Sequence, residues 1–537
     1  MNINVMQIIV IVVYLFIIAV LGYMGFSRTK NTRDYLLGGR RIHPAVMALS
    51  YGATFISTSA IVGFGGFAGV FGFSLLWLTF LNIFLGVFIA FIFFGKRTRR
   101  MGHNINAHTF PEFLGNRFKS KFIQRFAGIV IFLFMPVYTA AVMIGVAVLL
   151  QSMLGIDYNV ALLVFSLIVA AYVFFGGIKG VMYSDAFQGG LMLIGMTILL
   201  VSVYNQLGGV VPAHQKLTDL YANSAIAEQI AGLQSGGFQG WTKMPVLFSK
   251  NWWTVVSSIV MGVGIGVLAQ PQLAVRFMTV KSDRELNRAI PIGGVFILMM
   301  TGVAFVVGAL SNVLFFETTD KIAIVAASGT DNVIPMFLNN FMPTWFITVF
   351  LVVLMAAGMS TISSQFHAMG TAVGRDIFKV KDSNSKKSLL VTRIGVLAAI
   401  IFTIVLAYVL PKVWDGAIAI STGLFFGLCA ASFLPMYFGA LYCKKLTKTA
   451  AISSMLSGFV SATLWMLFMH SKESTVLKLC EALTGKTTLA PEGTMWAVVD
   501  PIIISLSVSI IVIIVVQAFS KKSLNKKHLD ACFDEIK

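Results

Sequence analysis

The sequence predicts an all-α polytopic membrane protein, and two observations carry that prediction. Of its 537 residues, 57% are hydrophobic and only 11% charged, and the mean hydropathy of +0.86 is too apolar for a water-soluble chain. The charged residues also fall in short loops between apolar runs long enough to span a bilayer. The net charge of +19 therefore reads as positive-inside loops rather than as a nucleic-acid surface.

About thirteen such runs follow in order, near 5–26, 45–70, 74–94, 126–150, 160–176, 185–205, 252–273, 289–314, 344–372, 389–409, 416–442, 450–470 and 496–519. The first is read as a retained helix rather than a leader. No basic stretch precedes it, no small-residue cleavage site closes it, and Arg28, Lys30 and Arg33 follow it. The loops at 27–41, 95–125, 176–184, 274–288, 375–388 and 443–448, with the tail from 520, hold 31 of the 40 Lys and Arg, and the alternate loops hold eight. That asymmetry puts the N-terminus outside and the C-terminus in the cytoplasm of a cell-membrane protein.

Two spans are interrupted by small residues. The second runs from Ser50 through Gly52, Ser57, Thr58, Ser59 and Gly63 to Gly66, and the seventh runs from Met261 through Gly262, Gly264 and Gly266 to Gln270-Pro271. Glycine and proline free backbone groups inside a membrane helix, which is tolerated where they line a cavity. Each of these spans opens a block of five, and paired weak segments at matching places point to an inverted-repeat transporter with its site near mid-membrane. Close helix packing through small faces is the plainer reading. The chain then divides into a flanking helix and loop (1–44), a first repeat (45–205), an outer loop (206–251), a second repeat (252–442) and two flanking helices with a tail (443–537).

The ninth span carries the most telling pattern, Ala357-Gly358-Met359-Ser360-Thr361-Ile362-Ser363-Ser364-Gln365. At about 100° per residue, Ala357, Ser360, Thr361 and Ser364 share one face, with Ser363 beside it. Hydroxyl and carbonyl oxygens are hard ligands suited to Na⁺, although one or two such residues alone would read as helix–helix glue. The four cysteines lack metal or redox spacing. There is no phosphate-binding G-x-x-x-x-G-K-[ST] motif and no H-E-x-x-H constellation. Primary pumping and membrane-embedded catalysis are therefore not expected, nor is an organic cofactor.

An ordered set of motifs resembles the sodium:solute symporters, the family of proline, pantothenate, sialic acid, sugar, iodide and monocarboxylate carriers. The set comprises Asp34-Tyr35-Leu36-Leu37-Gly38-Gly39-Arg40, Thr109-Phe110-Pro111-Glu112-Phe113-Leu114, Gly176-Gly177-Ile178-Lys179-Gly180 with Tyr183-Ser184-Asp185-Ala186-Phe187-Gln188, Gln270-Pro271-Gln272-Leu273-Ala274-Val275-Arg276-Phe277, and the serine stripe. The resemblance implies the leucine-transporter-type fold, two inverted five-helix repeats plus flanking helices, working by alternating access. It places a first Na⁺ site on Ala53, Ile56, Ala357, Ser360 and Thr361, and a second on Asp185 with Ser360, Ser363 and Ser364. A carboxylate inside the hydrocarbon is costly unless paired, which also makes Asp185 a functional candidate; a helix cap is its alternative.

Solute is expected against Tyr51, Ser57, Tyr138 and the broken segment near Gly262–Gly266, including Val263. The proline carriers place tryptophans on the two broken helices, where this chain has Ser59 and Val263. That departure argues against proline, and Gly72-Phe73-Ser74 with the run from Gln270 to Arg276 resembles the pantothenate and monocarboxylate branches. The expected solute is a monocarboxylate or related organic acid, with proline-like amino acid, pantothenate or sialic acid transport as alternatives. Gln270 and Arg276 are expected to tie down a gate or loop, and Arg40 to help the inner gate. A channel or a transport-like sensor is the reading from another class. The expected partners are Na⁺, a small solute and the lipid bilayer, with no nucleic acid and no obligatory protein partner.

Overall fold

Prolines and short polar caps set where the helices of this chain begin. The computed structural model describes residues 5–27, 36–40, 42–378, 386–492, 494–520 and 524–536; Arg28, Lys30, Arg33, Asp34 and Tyr35 lie outside them. After α1 (Val5–Ser27), α2 (Pro44–Phe55) opens on proline, with His43 Nδ1 accepting the Ala45 amide. Wide turns at Ser59–Gly63 lead into α3 (Phe64–Phe71), and α4 (Leu76–Ile83) continues through similar turns as far as Asn104. In α5 (Phe110–Arg117) the Thr109 hydroxyl accepts the Glu112 amide at 3.1 Å, and the Glu112 carboxylate accepts the His108 amide at 2.8 Å, close to a capping box.

Ser120 caps α6 (Lys121–Leu154) and Asp157 caps α7 (Tyr158–Gln206). The second half holds α8 (Gly262–Gly266), α9 (Pro271–Phe277), α10 (Asp283–Ile297), α11 (Val303–Thr319), α12 (Thr344–Thr371), α13 (Lys386–Val413) and α14 (Ala417–Tyr442). The chain ends with α15 (Lys448–Phe468) and α16 (Pro501–Phe519) before a short terminal helix. Among the described residues the protein is all-helical, apart from an isolated bridge between Ile42 and Val280.

Among the described residues, eleven helical runs are long and apolar enough to cross a membrane. The count differs from thirteen for identifiable reasons. The expected second span breaks after α2, and its second part joins the next into one run, Ser59–Asn104, bent at Gly72, whose φ of +63° suits glycine. The expected loop at 176–184 is helix: α7 is continuous over 49 residues, or about 73 Å at 1.5 Å per residue. No proline interrupts that stretch, so nothing removes an amide from the ladder.

Burial orders the bundle. In α12 94% of the most apolar window is buried, against 17% in α1 and 22% in α16, so α12 is the axis and the terminal helices flank it. It packs against α2, α6, α7 and α13. The segment at 206–251 is anchored by Trp241, fully buried, whose indole donates to the Gly69 carbonyl at 2.9 Å while its own carbonyl accepts the Phe73 amide at 2.7 Å.

Candidate functional site

Helix α2 stops because Ile56 turns to extended backbone (φ −92°, ψ 104°). Ser57 then caps Ser59, its hydroxyl accepting the Ser59 amide at 3.1 Å, and the Thr58 hydroxyl donates to the Val142 carbonyl of α6 at 2.8 Å. A helix that ends inside the protein leaves its last carbonyls without amide donors. Here α12 meets them. Ser360 Oγ lies 2.7 Å from the Ala53 carbonyl and 3.2 Å from that of Ala357. Thr361 Oγ1 lies 3.3 Å and 3.1 Å from the carbonyls of Ala53 and Thr54. Ala53, Ala357, Ser360 and Thr361 are all wholly buried, and Ile56, the fifth residue of the expected set, closes the break beside them.

The second break falls at Gln270, extended (φ −72°, ψ 117°) before Pro271, as a residue preceding proline tends to be. The expected break near Gly262–Gly266 is corrected: the chain stays helical there. Those glycines serve close packing, since a Cβ on Gly266 would stand 2.6 Å from the Phe426 carbonyl oxygen.

One turn below Ser360, the stripe enters a charged cluster. Asp185 Oδ2 accepts from Ser50 Oγ at 2.8 Å and Arg276 Nη2 at 3.0 Å. Arg276 Nη2 also reaches Ser364 Oγ at 2.6 Å, and Thr54 Oγ1 lies 3.0 Å from that hydroxyl and 3.4 Å from Asp185. Both charges are buried, at 0% and 2% side-chain exposure, so each depends on the other. Asp185 Oδ1 has no hydrogen-bond partner among the described residues. Ser363 turns instead to its own helix, donating to the Ser360 carbonyl at 3.1 Å. Arg276 thus stands in the centre of the protein, where the sequence had suggested only a gate or loop tie.

Ser57, Tyr138 and Val263 line one small cavity of about 20 Å³, room for roughly one water. Tyr138 OH is 3.5 Å from Ser57 Oγ. Ser59, Asn82, Thr301 and Thr422 complete its polar lining, and Ser59 Oγ and Asn82 Oδ1 are buried without partners among the described residues. Asn82, Thr301 and Thr422 are lining residues that sequence reasoning missed, because Asn82 and Thr301 are lone polar residues in apolar runs and Thr422 is flanked only by Ser421. Tyr51 lies apart from the cavity, its hydroxyl donating to the Gly86 carbonyl at 2.7 Å and its ring packed on Phe91 and Phe277.

Short polar contacts cross-link the basic end of the bundle. Arg375 pairs with the Glu112 carboxylate at 2.9 Å, and buried Asp376 accepts from Thr109 and Gln124 at 2.9 Å each. Arg40 reaches the carbonyls of Gly102 and Ala107 at 3.2 Å and 3.1 Å. Burial works to raise the Glu112 pKa, but hydrogen bonds from His108 and Arg375 outweigh it and hold the carboxyl at about 2.

Two interrupted helices meeting a hydroxyl-lined central helix define a secondary transporter of the leucine-transporter-type fold. The chain belongs to the sodium:solute symporter family, whose description matches residues 35–458. It is 29% identical over 454 residues to the high-affinity proline transporter PutP of Bacillus subtilis (strain 168), covering 83% of this chain and 89% of that one. It is 28% identical over 488 residues to a sodium/proline symporter of Staphylococcus aureus (strain JH9), covering 86% of each. A solved Na⁺-coupled sialic acid symporter, substrate-bound and outward-open, shares the fold at a TM-score of 0.72 and 18% identity, over 97% of this chain and 99% of that one. The protein is a multi-pass membrane transporter, not an enzyme, and Na⁺ is its family's coupling ion.

Proposed function

We propose that this protein imports a small imino or amino acid, proline first among them, together with Na⁺ by alternating access. The observation that carries the reading is the juxtaposition of the α2 break, whose carbonyls meet Ser360 and Thr361, with the polar cavity holding Ser57, Tyr138 and Val263. In the first Na⁺ site the two hydroxyls would rotate their protons away and offer lone pairs beside the carbonyls of Ala53, Ile56 and Ala357. Solute would sit against Ser57, Tyr138 and Val263, with no role for Tyr51. The proline class comes from the names of the relatives, which lend the monocarboxylate expectation no support. Ser59 and Val263, in place of tryptophans, keep an organic acid as the second candidate.

A second Na⁺ is proposed at Asp185 with Ser364, and with Ser363 only if its hydroxyl leaves the Ser360 carbonyl; the unpartnered Asp185 Oδ1 supports it. Two Na⁺ with a zwitterion would carry two charges inward, each worth about 2.3 kcal/mol per 100 mV. The proposed frame is the two repeats at 45–205 and 252–442, with the N-terminus outside, the C-terminus cytoplasmic and the protein in the cell membrane. Uptake of labelled proline, acetate and sialic acid into proteoliposomes, with and without a Na⁺ gradient, tests the reading. Na⁺-dependent, saturable proline uptake with a Hill coefficient above one is expected. Na⁺-independent uptake, or none of any solute in the panel, would overturn it.

A further inference from the structure

A large cavity lies away from the proposed transport site. It is a cleft of about 610 Å³ on the flank of the bundle, between α14 and α16, within the range of about 300–1,000 Å³ typical of ligand sites. Its walls are Leu434, Pro435, Phe438, Ile510 and Ile514, with Leu268 at its floor. Phe438, Ile510 and Ile514 are 47%, 42% and 63% exposed, which in membrane-spanning helices means exposed to lipid. One end of the cleft is different in kind. There Lys445 joins the lining, exposed and making no ion pair among the described residues, whereas its neighbour Lys444 is paired to Asp530 at 2.7 Å.

That rim is built rather than loose. Gln517 of α16 donates to the Lys445 carbonyl at 3.2 Å and accepts the Thr447 amide at 2.8 Å, fixing the lysine backbone over the mouth of the cleft. Lys448, also exposed, begins α15 one turn further on. An apolar trench at membrane depth that ends under unpaired ammonium groups matches a lipid with a net negative head group, and basic pockets between membrane helices are known to select such lipids.

We propose that this cleft is a binding site for an anionic phospholipid, its acyl chain between α14 and α16 and its phosphate at Lys445. The site touches the moving parts of the fold. Leu268 precedes the Gln270–Pro271 break by two residues, and Pro435 is the interior proline of α14. A chain seated there bears on both places where these helices can bend.

Native mass spectrometry of the purified full-length protein, titrated with phosphatidylglycerol or phosphatidylcholine of identical chains, tests the site. Wild type is expected to retain phosphatidylglycerol with about fivefold preference for the lysine at the rim. Lys445→Glu should bring that preference to one while leaving the thermal midpoint unchanged, and Lys445→Ala should fall between. Ile514→Trp, on the lipid-exposed wall, should reduce retention of both lipids. Cys443, the exposed cysteine lining the cleft, gives a second readout. Its maleimide labelling should slow several-fold with phosphatidylglycerol and not with inorganic phosphate, which separates a lipid from a free anion. Equal retention of the two lipids by wild type, an unchanged preference in Lys445→Glu, or a second copy of the chain protecting Cys443 would each overturn the proposal.

Discussion

Two consecutive turns of α12 solve different problems with the same residue type. At Ser360 and Thr361 the hydroxyls meet neutral backbone carbonyls of the interrupted α2. At Ser364, about 6 Å further along the helix, the hydroxyl meets a buried Arg276–Asp185 pair. The upper turn therefore gathers oxygen without formal charge, and the lower turn already contains a cation in its guanidinium. A cation entering the upper turn would require only that the hydroxyl protons rotate away. One entering the lower turn would have to share or replace the guanidinium of Arg276, which α9 carries.

The sharpest way to break this comparison is to neutralise the carboxylate. Asp185→Asn strands a buried guanidinium and should cost about 3–5 kcal/mol of stability, read as a large fall in thermal midpoint with loss of uptake. Adding Arg276→Gln should restore much of the stability, because both charges then leave together. A double variant no more stable than Asp185→Asn would mean that the pair is not a unit.

Next in size is the upper turn. Ser360→Ala with Thr361→Ala should raise the Na⁺ concentration for half-maximal uptake at least tenfold, or about 1.4 kcal/mol, and should also lower the thermal midpoint, because the buried Ala53 and Thr54 carbonyls lose their donors. Unchanged Na⁺ dependence would remove the first site from these residues.

A finer contrast lies within the lower turn. Ser364→Ala should lower the Hill coefficient for Na⁺ toward one, whereas Ser363→Ala, whose hydroxyl only bonds its own helix, should leave it nearly unchanged. Equal effects would place both hydroxyls around one ion.

The smallest effect is expected at the basic end. The Glu112 carboxyl, held at about 2 against an ordinary value of 4.5, stabilises the fold above pH 4.5, and that stabilisation is lost as pH falls toward 2. Glu112→Gln should lower the thermal midpoint at pH 7 by an amount that shrinks between pH 4.5 and pH 2. A gap that stays constant with pH would assign the loss to packing rather than charge.

The sequence by itself determined the all-helical membrane class, because hydropathy and charge placement act locally along the chain. It also made the serine stripe visible, because helical periodicity puts Ala357, Ser360, Thr361 and Ser364 on one face wherever that helix lies. Tertiary structure alone decided what that face meets. Arg276 and Asp185 stand 91 residues apart, and no local pattern pairs them. Lone polar residues such as Asn82 and Thr301 become cavity lining only when helices distant in sequence converge. The second break sits at Gln270 rather than among the nearby glycines because glycine can stay helical where close packing rewards it, whereas proline at 271 forces the residue before it to extend.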